Sequence, residues 1–157
     1  MAIPMRIAIV DDEITVCRRL SHALAKEGYL VEAFTSGQAF LDVMSRSPFD
    51  VVFTDLRLPD FNGMEILSRT KALRADTEVI VITGFGSIDS AIQAIKEGAY
   101  YYTTKPLRLN EIRALAKGAV EKLMLREENV RLREALKGED QLSAIVGNSP
   151  PIQSLFS

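Results

Sequence analysis

Short apolar runs alternate along this chain with longer stretches in which apolar residues recur every three or four positions. Arg6–Val10 is a compact β-rich run, and Ile14, Cys17, Leu20 and Leu24 then fall on one face of a helix. Gly28 stops that helix, and Leu30–Phe34 alternates as a half-exposed strand. Residues 36–46 form a second helix with Phe40, Leu41 and Met44 as its apolar face. Residues 51–54 are continuously apolar up to Thr54, as expected of a strand buried on both faces, and 78–82 read the same way after Glu78. A third helix spans 64–73 between them. Ser87 caps a fourth, which runs to Lys96 and is stopped by Gly98. A fifth strand covers 100–104, and the last helix begins near Leu109. Five βα units in this order predict an α/β fold, a doubly wound flavodoxin-like parallel sheet with strand order 2-1-3-4-5. No internal repeat or low-complexity segment interrupts the pattern.

Polar chemistry sits at the strand ends. Asp11-Asp12, Asp55, Thr83 and Lys105-Pro106 each follow or close a different apolar run. In an open parallel sheet the carboxyl ends of the strands share one edge, and sites assemble in the crevice outside it. Carboxylates, a hydroxyl and an ammonium from four strands therefore converge. Clustered carboxylates need a cation to stay ionised together, and hard oxygen donors suit Mg²⁺. Such a pocket suits a phosphoryl group.

Composition leaves this picture intact. The 157 residues allow one domain and an appendage, 47% of them are hydrophobic, and the net charge of −2 argues against a nucleic-acid footprint. No apolar stretch is long enough to span a bilayer, and the first residues lack a signal-peptide layout. The single cysteine, Cys17, fits a reducing compartment, so a cytoplasmic protein is expected. Cys17 reads as packing, and His22 has no partner at ligand spacing.

The segments Ile9-Val10-Asp11-Asp12-Glu13, Thr54-Asp55-Leu56-Arg57-Leu58-Pro59-Asp60-Phe61-Asn62-Gly63, Ile82-Thr83-Gly84 and Gly98 to Lys105-Pro106, in this order, resemble the receiver domain of two-component response regulators. The resemblance runs from Arg6 to the start of the last helix, placing a receiver domain at 1–120. It implies that Asp55 is the phospho-acceptor, attacking a phosphohistidine on a cognate sensor histidine kinase. It further implies that Asp12, Asp55 and the backbone carbonyl of Arg57 bind Mg²⁺, with Asp11 acting largely through water. Lys105 would pair with the phosphoryl oxygens. Thr83 would donate its hydroxyl to them, and Tyr102 would be the switch aromatic that turns inward when Thr83 moves. Pro106 matches a proline often joined through a cis bond.

Taken singly, the same residues have plainer readings: Asp11 or Asp12 as a helix cap, Thr83 as a strand-end hydroxyl, Tyr102 as a surface aromatic, Lys105 as a solvated charge. Their joint order is what carries the phosphoryl reading. A dinucleotide-binding domain lacks support because no G-x-G-x-x-G follows the first strand. An aspartyl-nucleophile phosphohydrolase is the alternative, but the position two after Asp55 holds Arg57, which cannot serve as acid or base. The expectation is a switch domain rather than an enzyme.

The last helix continues without proline, and residues 109–138 read as the final receiver helix running on as a coiled-coil linker that ends at Gly138. Leu125, Asn129, Leu132 and Leu136 form one heptad seam, with Asn129 and Leu136 at a and Leu125 and Leu132 at d. A lone central Asn favours a parallel homodimer, whereas Gly118 and Lys122 interrupt the seam upstream. Residues 139–157, with Ile145-Val146-Gly147-Asn148-Ser149-Pro150-Pro151, resemble the opening of the AAA+ ATPase domain of NtrC-like activators. That resemblance implies a longer protein that works with sigma-factor-bound RNA polymerase and DNA. The present segment would itself touch neither nucleic acid nor membrane.

Overall fold

The computed structural model describes residues 4–146. Strands β1 (Arg6–Val10), β2 (Leu30–Phe34), β3 (Val51–Asp55), β4 (Glu78–Thr83) and β5 (Tyr101–Thr104) form one sheet in the order β2-β1-β3-β4-β5. Every pairing is parallel. Between the strands run α1 (Ile14–Ala25), α2 (Gly37–Arg46), α3 (Gly63–Leu73) and α4 (Ile88–Lys96), and α5 (Leu109–Val146) follows β5. The predicted fold class and strand order are those observed. Among the described residues no helix is long and apolar enough to cross a membrane.

Successive strand residues point to opposite faces, so the continuous apolar runs of β1, β3 and β4 feed two cores at once. Ile7, Ile9, Val51, Phe53, Ile80 and Ile82 pack with residues of α1 and α5. Ala8, Val10, Val52, Val79 and Val81 pack on the other face with α2, α3 and Ala94 of α4. Each fully buried large side chain contributes about 1.5–3 kcal/mol. The edge strands β2 and β5 are buried on one face at most, which is why they read as weaker patterns. Positive φ at Gly28 and Gly98 lets the chain leave α1 and α4 in the left-handed conformation.

Two expectations change. Ile14 lies on the predicted face of α1 but is 59% exposed, and burial passes to Val16, Cys17, Leu20, Ala23 and Leu24. It is the first residue of the helix. Gly138 was expected to stop the last helix, yet α5 is helical to Val146. Without a following proline, a glycine flanked by good helix formers costs only about 1 kcal/mol and does not end a helix. The proposed ATPase opening from Gly147 onward lies outside the described residues. The described chain divides into an α/β unit reaching Leu123 and a second unit, the rest of α5 from Met124.

Two contacts hold the loop that follows β3. A Cβ on Gly63 would collide with the backbone of Asp55 and Leu56, so only glycine lets α3 begin directly against the end of β3. Asp60 accepts hydrogen bonds from the Gly37 and Gln38 N–H groups, each at 2.9 Å, and so caps α2 from a loop distant in sequence. The N–H groups of Gln38 and Gly37 hold the Asp60 carboxyl below its ordinary value of 3.8. A depressed pKa gives stability that is present above the unfolded value and fades as pH falls through the folded one. Thermal melts of Asp60→Asn should therefore lie below the parent at pH 7, and the gap should close as pH drops beneath 3.8. A constant gap across that range would refute the charged cap.

Candidate functional site

The carboxyl edge of the sheet carries the predicted cluster. Asp11 follows β1, and Asp55 and Thr83 are the last residues of β3 and β4. Asp11, Asp55 and Thr83 are 3%, 6% and 0% exposed, whereas Asp12 is open to solvent. Carboxylate oxygens of Asp11, Asp12 and Asp55 lie within 4.8 Å of one another. Lys105, after β5, reaches into this group. Its Nζ stands 2.9 Å from Asp11 Oδ2 and 3.0 Å from Asp55 Oδ2. The Lys105–Pro106 bond is cis.

The electrostatics follow from the crowding. Burial pushes the Asp11 carboxyl up, against the opposing pull of the Glu13 N–H and of Lys105. Burial also works against the Lys105 charge, yet hydrogen bonds from the ammonium to Asp11 and Asp55 outweigh it and hold its pKa above the ordinary range. The two partners thus shift in the same direction. Ion pairing alone would have lowered the acid, so desolvation is the stronger influence at Asp11. One ammonium is shared among several carboxylates, leaving the cluster with surplus negative charge. Three hard oxygen donors converging with a net negative balance fit a divalent cation of the magnesium class.

The surrounding loops bear on the mouth of this cluster. The Arg57 N–H donates to Asp55 Oδ1 at 3.1 Å, fixing the rotamer of the carboxylate. The Arg57 guanidinium lies 3.9 Å from the centroid of the Phe85 ring, joining the loop after β3 to the loop after β4. Thr83 Oγ1 accepts the Phe85 N–H at 3.1 Å, which ties the same second loop to the strand end. Thr83 also meets the lysine segment through its carbonyl, which accepts the Lys105 N–H at 2.9 Å. The Tyr102 hydroxyl sits 2.6 Å from Ser90 Oγ and accepts the Ser87 N–H at 3.3 Å. It thereby joins the capping box that opens α4.

The structure thus brings Asp11, Asp12, Asp55 and Lys105 together, with Thr83 alongside and Tyr102 against the start of α4. Arg57 is linked to Asp55 through its N–H. Asp11 and Asp12 do not cap α1, whose N-cap is Glu13 with no side-chain cap. The seam residues belong to the second unit, where Leu125 and Leu132 are 66% and 46% exposed. Sequence reasoning passed over Glu13, whose Oε1 is a third carboxylate contact of Lys105 at 3.2 Å. Its place directly after the acidic pair was the available signal. Cys17 Sγ, set aside as packing, donates to the Asp11 carbonyl at 3.2 Å.

Comparison with known proteins agrees with this fold. Residues 7–117 match the family model of the response regulator receiver domain. Regulatory protein AtoC of Escherichia coli (strain K12) is 31% identical over 150 residues, which cover 96% of this chain and 32% of AtoC. Response regulator protein PilR of Pseudomonas aeruginosa is 33% identical over 147 residues, covering 94% of this chain and 31% of PilR. The chain therefore spans about a third of the length of these curated relatives. Among solved structures, the beryllofluoride-activated NtrC4 receiver domain dimer superposes with a TM-score of 0.72 at 34% identity, covering 75% of this chain and 98% of that one. NtrX from Brucella abortus gives a TM-score of 0.77 at 27% identity over 83% of this chain and 30% of its own.

Proposed function

This chain belongs to the response regulator receiver domain family, and we propose that it accepts a phosphoryl group on Asp55 and thereby switches a linker dimer that governs a downstream ATPase. The observation that carries the proposal is Lys105 held between Asp11 and Asp55 at a buried sheet edge. Residues 1–120 are then the receiver, 109–138 the last receiver helix running on as a coiled-coil linker within a helix that continues to Val146, and 139–157 lead into the start of an AAA+ domain. In this reading a sensor histidine kinase is the donor. A relative named as a transcriptional regulatory protein supports a transcriptional output in the whole protein, which in this reading works through sigma-factor-bound polymerase and DNA.

An Asp55 carboxylate oxygen attacks phosphorus. The new P–O bond forms as the P–N bond to the donor imidazole breaks, and the imidazole keeps the electron pair and takes up a proton. Asp12, Asp55 and the Arg57 carbonyl would hold Mg²⁺, with Asp11 acting through water. Bound there, the ion supplies charge neutralisation between nucleophile and phosphoryl oxygens. Lys105 exchanges its carboxylate contact on Asp55 for a phosphoryl oxygen, a role suited to a compact ammonium. Thr83 donates a hydrogen bond from its hydroxyl to another phosphoryl oxygen and draws the Phe85 loop with it. Tyr102 then leaves its place beside Ser87 and Ser90. Hydrolytic small-molecule turnover is disfavoured because Arg57 stands where a phosphohydrolase needs a second acid.

Incubation with acetyl phosphate and Mg²⁺ should add one phosphoryl group per chain by intact mass, and Asp55→Asn should add none. The reaction should fail in EDTA, because without a cation the carboxylates repel the incoming phosphate. Equal labelling of Asp55→Asn would remove the acceptor assignment.

In this reading Arg57, stacked 3.9 Å from the Phe85 ring centroid, obstructs part of the path that an in-line water needs. An exposed cation–π contact is worth about 0.5–1 kcal/mol, which corresponds to about two- to fivefold in rate. Arg57→Asn with Phe85→Ala should accelerate loss of the phosphoryl group by roughly that factor. An unchanged decay rate would dismiss the screen.

Phosphorylation should also exchange one dimer arrangement for another, which requires differential contact energy between the two. Ile88, Ile92 and Ile95 of α4 and Tyr101 of β5 are 80%, 50%, 52% and 44% exposed, an apolar surface beside the Tyr102 switch. That surface is suited to compete with the Leu125, Asn129, Leu132 and Leu136 seam. With Cys17 replaced, Leu132→Cys should form interchain disulfide efficiently before phosphorylation and less so after it. Equal yields in both states would exclude the exchange.

A further inference from the structure

Gly118 and Lys122 occupy the d and a positions one heptad upstream of Leu125 and Asn129, where they break the seam. Inside the α/β unit both are engaged. Lys122 Nζ lies 3.3 Å from Glu78 Oε2, and Glu78, the first residue of β4, is 0% exposed. Lys122 Nζ also stands 5.6 Å from the centroid of the Tyr100 ring. The hydroxyl of Tyr100 fills a notch at Gly118, where a Cβ would fall 2.5 Å from it. The remaining buried contacts of this stretch of α5 come from Ala116, Ala119, Val120 and Leu123. Between Ile112 and Val120 the buried residues of that face are Ala116 and Ala119, with Gly118 beside them, and their shallow ridges resist sliding and rotation poorly.

A fully buried carboxylate is costly unless paired, and its best-attested use is to fix register. Glu78 begins the strand whose other end is Thr83. We propose that the Glu78–Lys122 ion pair, with Tyr100 seated at Gly118, is a clamp that sets the phase of α5 on the receiver. It reserves the a and d positions at 122 and 118 for the receiver, so that the linker seam begins only at Leu125. Lys122 and Gly118 are then positioning residues that make the linker read the receiver's state. This inference rests on the seam switch described above.

The test uses Glu78→Gln, which keeps size, and Lys122→Met, which keeps the aliphatic stem over Tyr100, singly and together. Acetyl phosphate should load Asp55 in every variant as in the parent, because the clamp lies at the opposite end of β4 from Thr83. Amide exchange at residues 119–123 should accelerate by about tenfold, with residues 7–10 unchanged. The double variant should be no worse than either single, as expected when both remove one interaction. In the Leu132→Cys background the phosphorylation-dependent fall in cross-linking should disappear. Unchanged exchange at 119–123 would overturn the clamp. Faster exchange with the fall in cross-linking intact would reduce the pair to local packing and overturn its coupling role. No fall in the parent would overturn the seam switch instead, and the exchange result would still decide the clamp.

Discussion

A single ammonium must serve more carboxylates than it can neutralise. Lys105 contacts Asp11, Asp55 and Glu13 within 3.2 Å, and Asp12 adds a further negative group to the same edge. The parallel sheet makes this crowding unavoidable, since β1, β3, β4 and β5 all end on one side. The apolar residues beneath keep water from Asp11 and Asp55, while Asp12 and Glu13 face solvent. In the proposed function this excess charge draws a divalent cation, and the cation in turn makes the pocket receptive to a phosphoryl group. The rest of the α/β unit is concerned with holding those strand ends in place.

Much of this was legible in the sequence for a physical reason. Strands buried on both faces read as unbroken apolar runs, so β1, β3 and β4 announce themselves, and their topology collects whatever polar residues follow them. The site was therefore readable from Asp11, Asp12, Asp55, Thr83 and Lys105 without any knowledge of contacts. What escaped depended on three-dimensional neighbours or on helix ends. Ile14 sits on the correct face but at the first position of its helix, where it is exposed. Asp60 caps a helix that begins 23 residues earlier. The Tyr102 hydroxyl bonds Ser90 through a rotamer that no spacing encodes. Gly138 alone does not stop a helix that has no other reason to end there.

Gly118 and Lys122 show the same limit from another side. On a heptad wheel they are defects, because a seam wants apolar residues at a and d. Their use appears only when Glu78 and Tyr100 are seen against them. The same helix thus serves two masters in sequence, an α/β core up to Leu123 and an exposed leucine seam after it. Polar residues at the junction mark where one ends. The loops above the pocket follow a similar logic, with Arg57 on Phe85 and Thr83 on the Phe85 N–H linking the loop after β3 to the loop after β4.

The central claim is that the nucleophile is one particular carboxylate out of four that crowd the same edge. An acyl phosphate is reduced by borohydride to an alcohol, so trapping the phosphorylated protein converts the acceptor aspartate to homoserine. Peptide mapping by mass spectrometry then names the residue directly. Homoserine at position 55 alone is the predicted result. Homoserine at position 11 or 12, or an intact Asp55 in protein that carries phosphate, would contradict it.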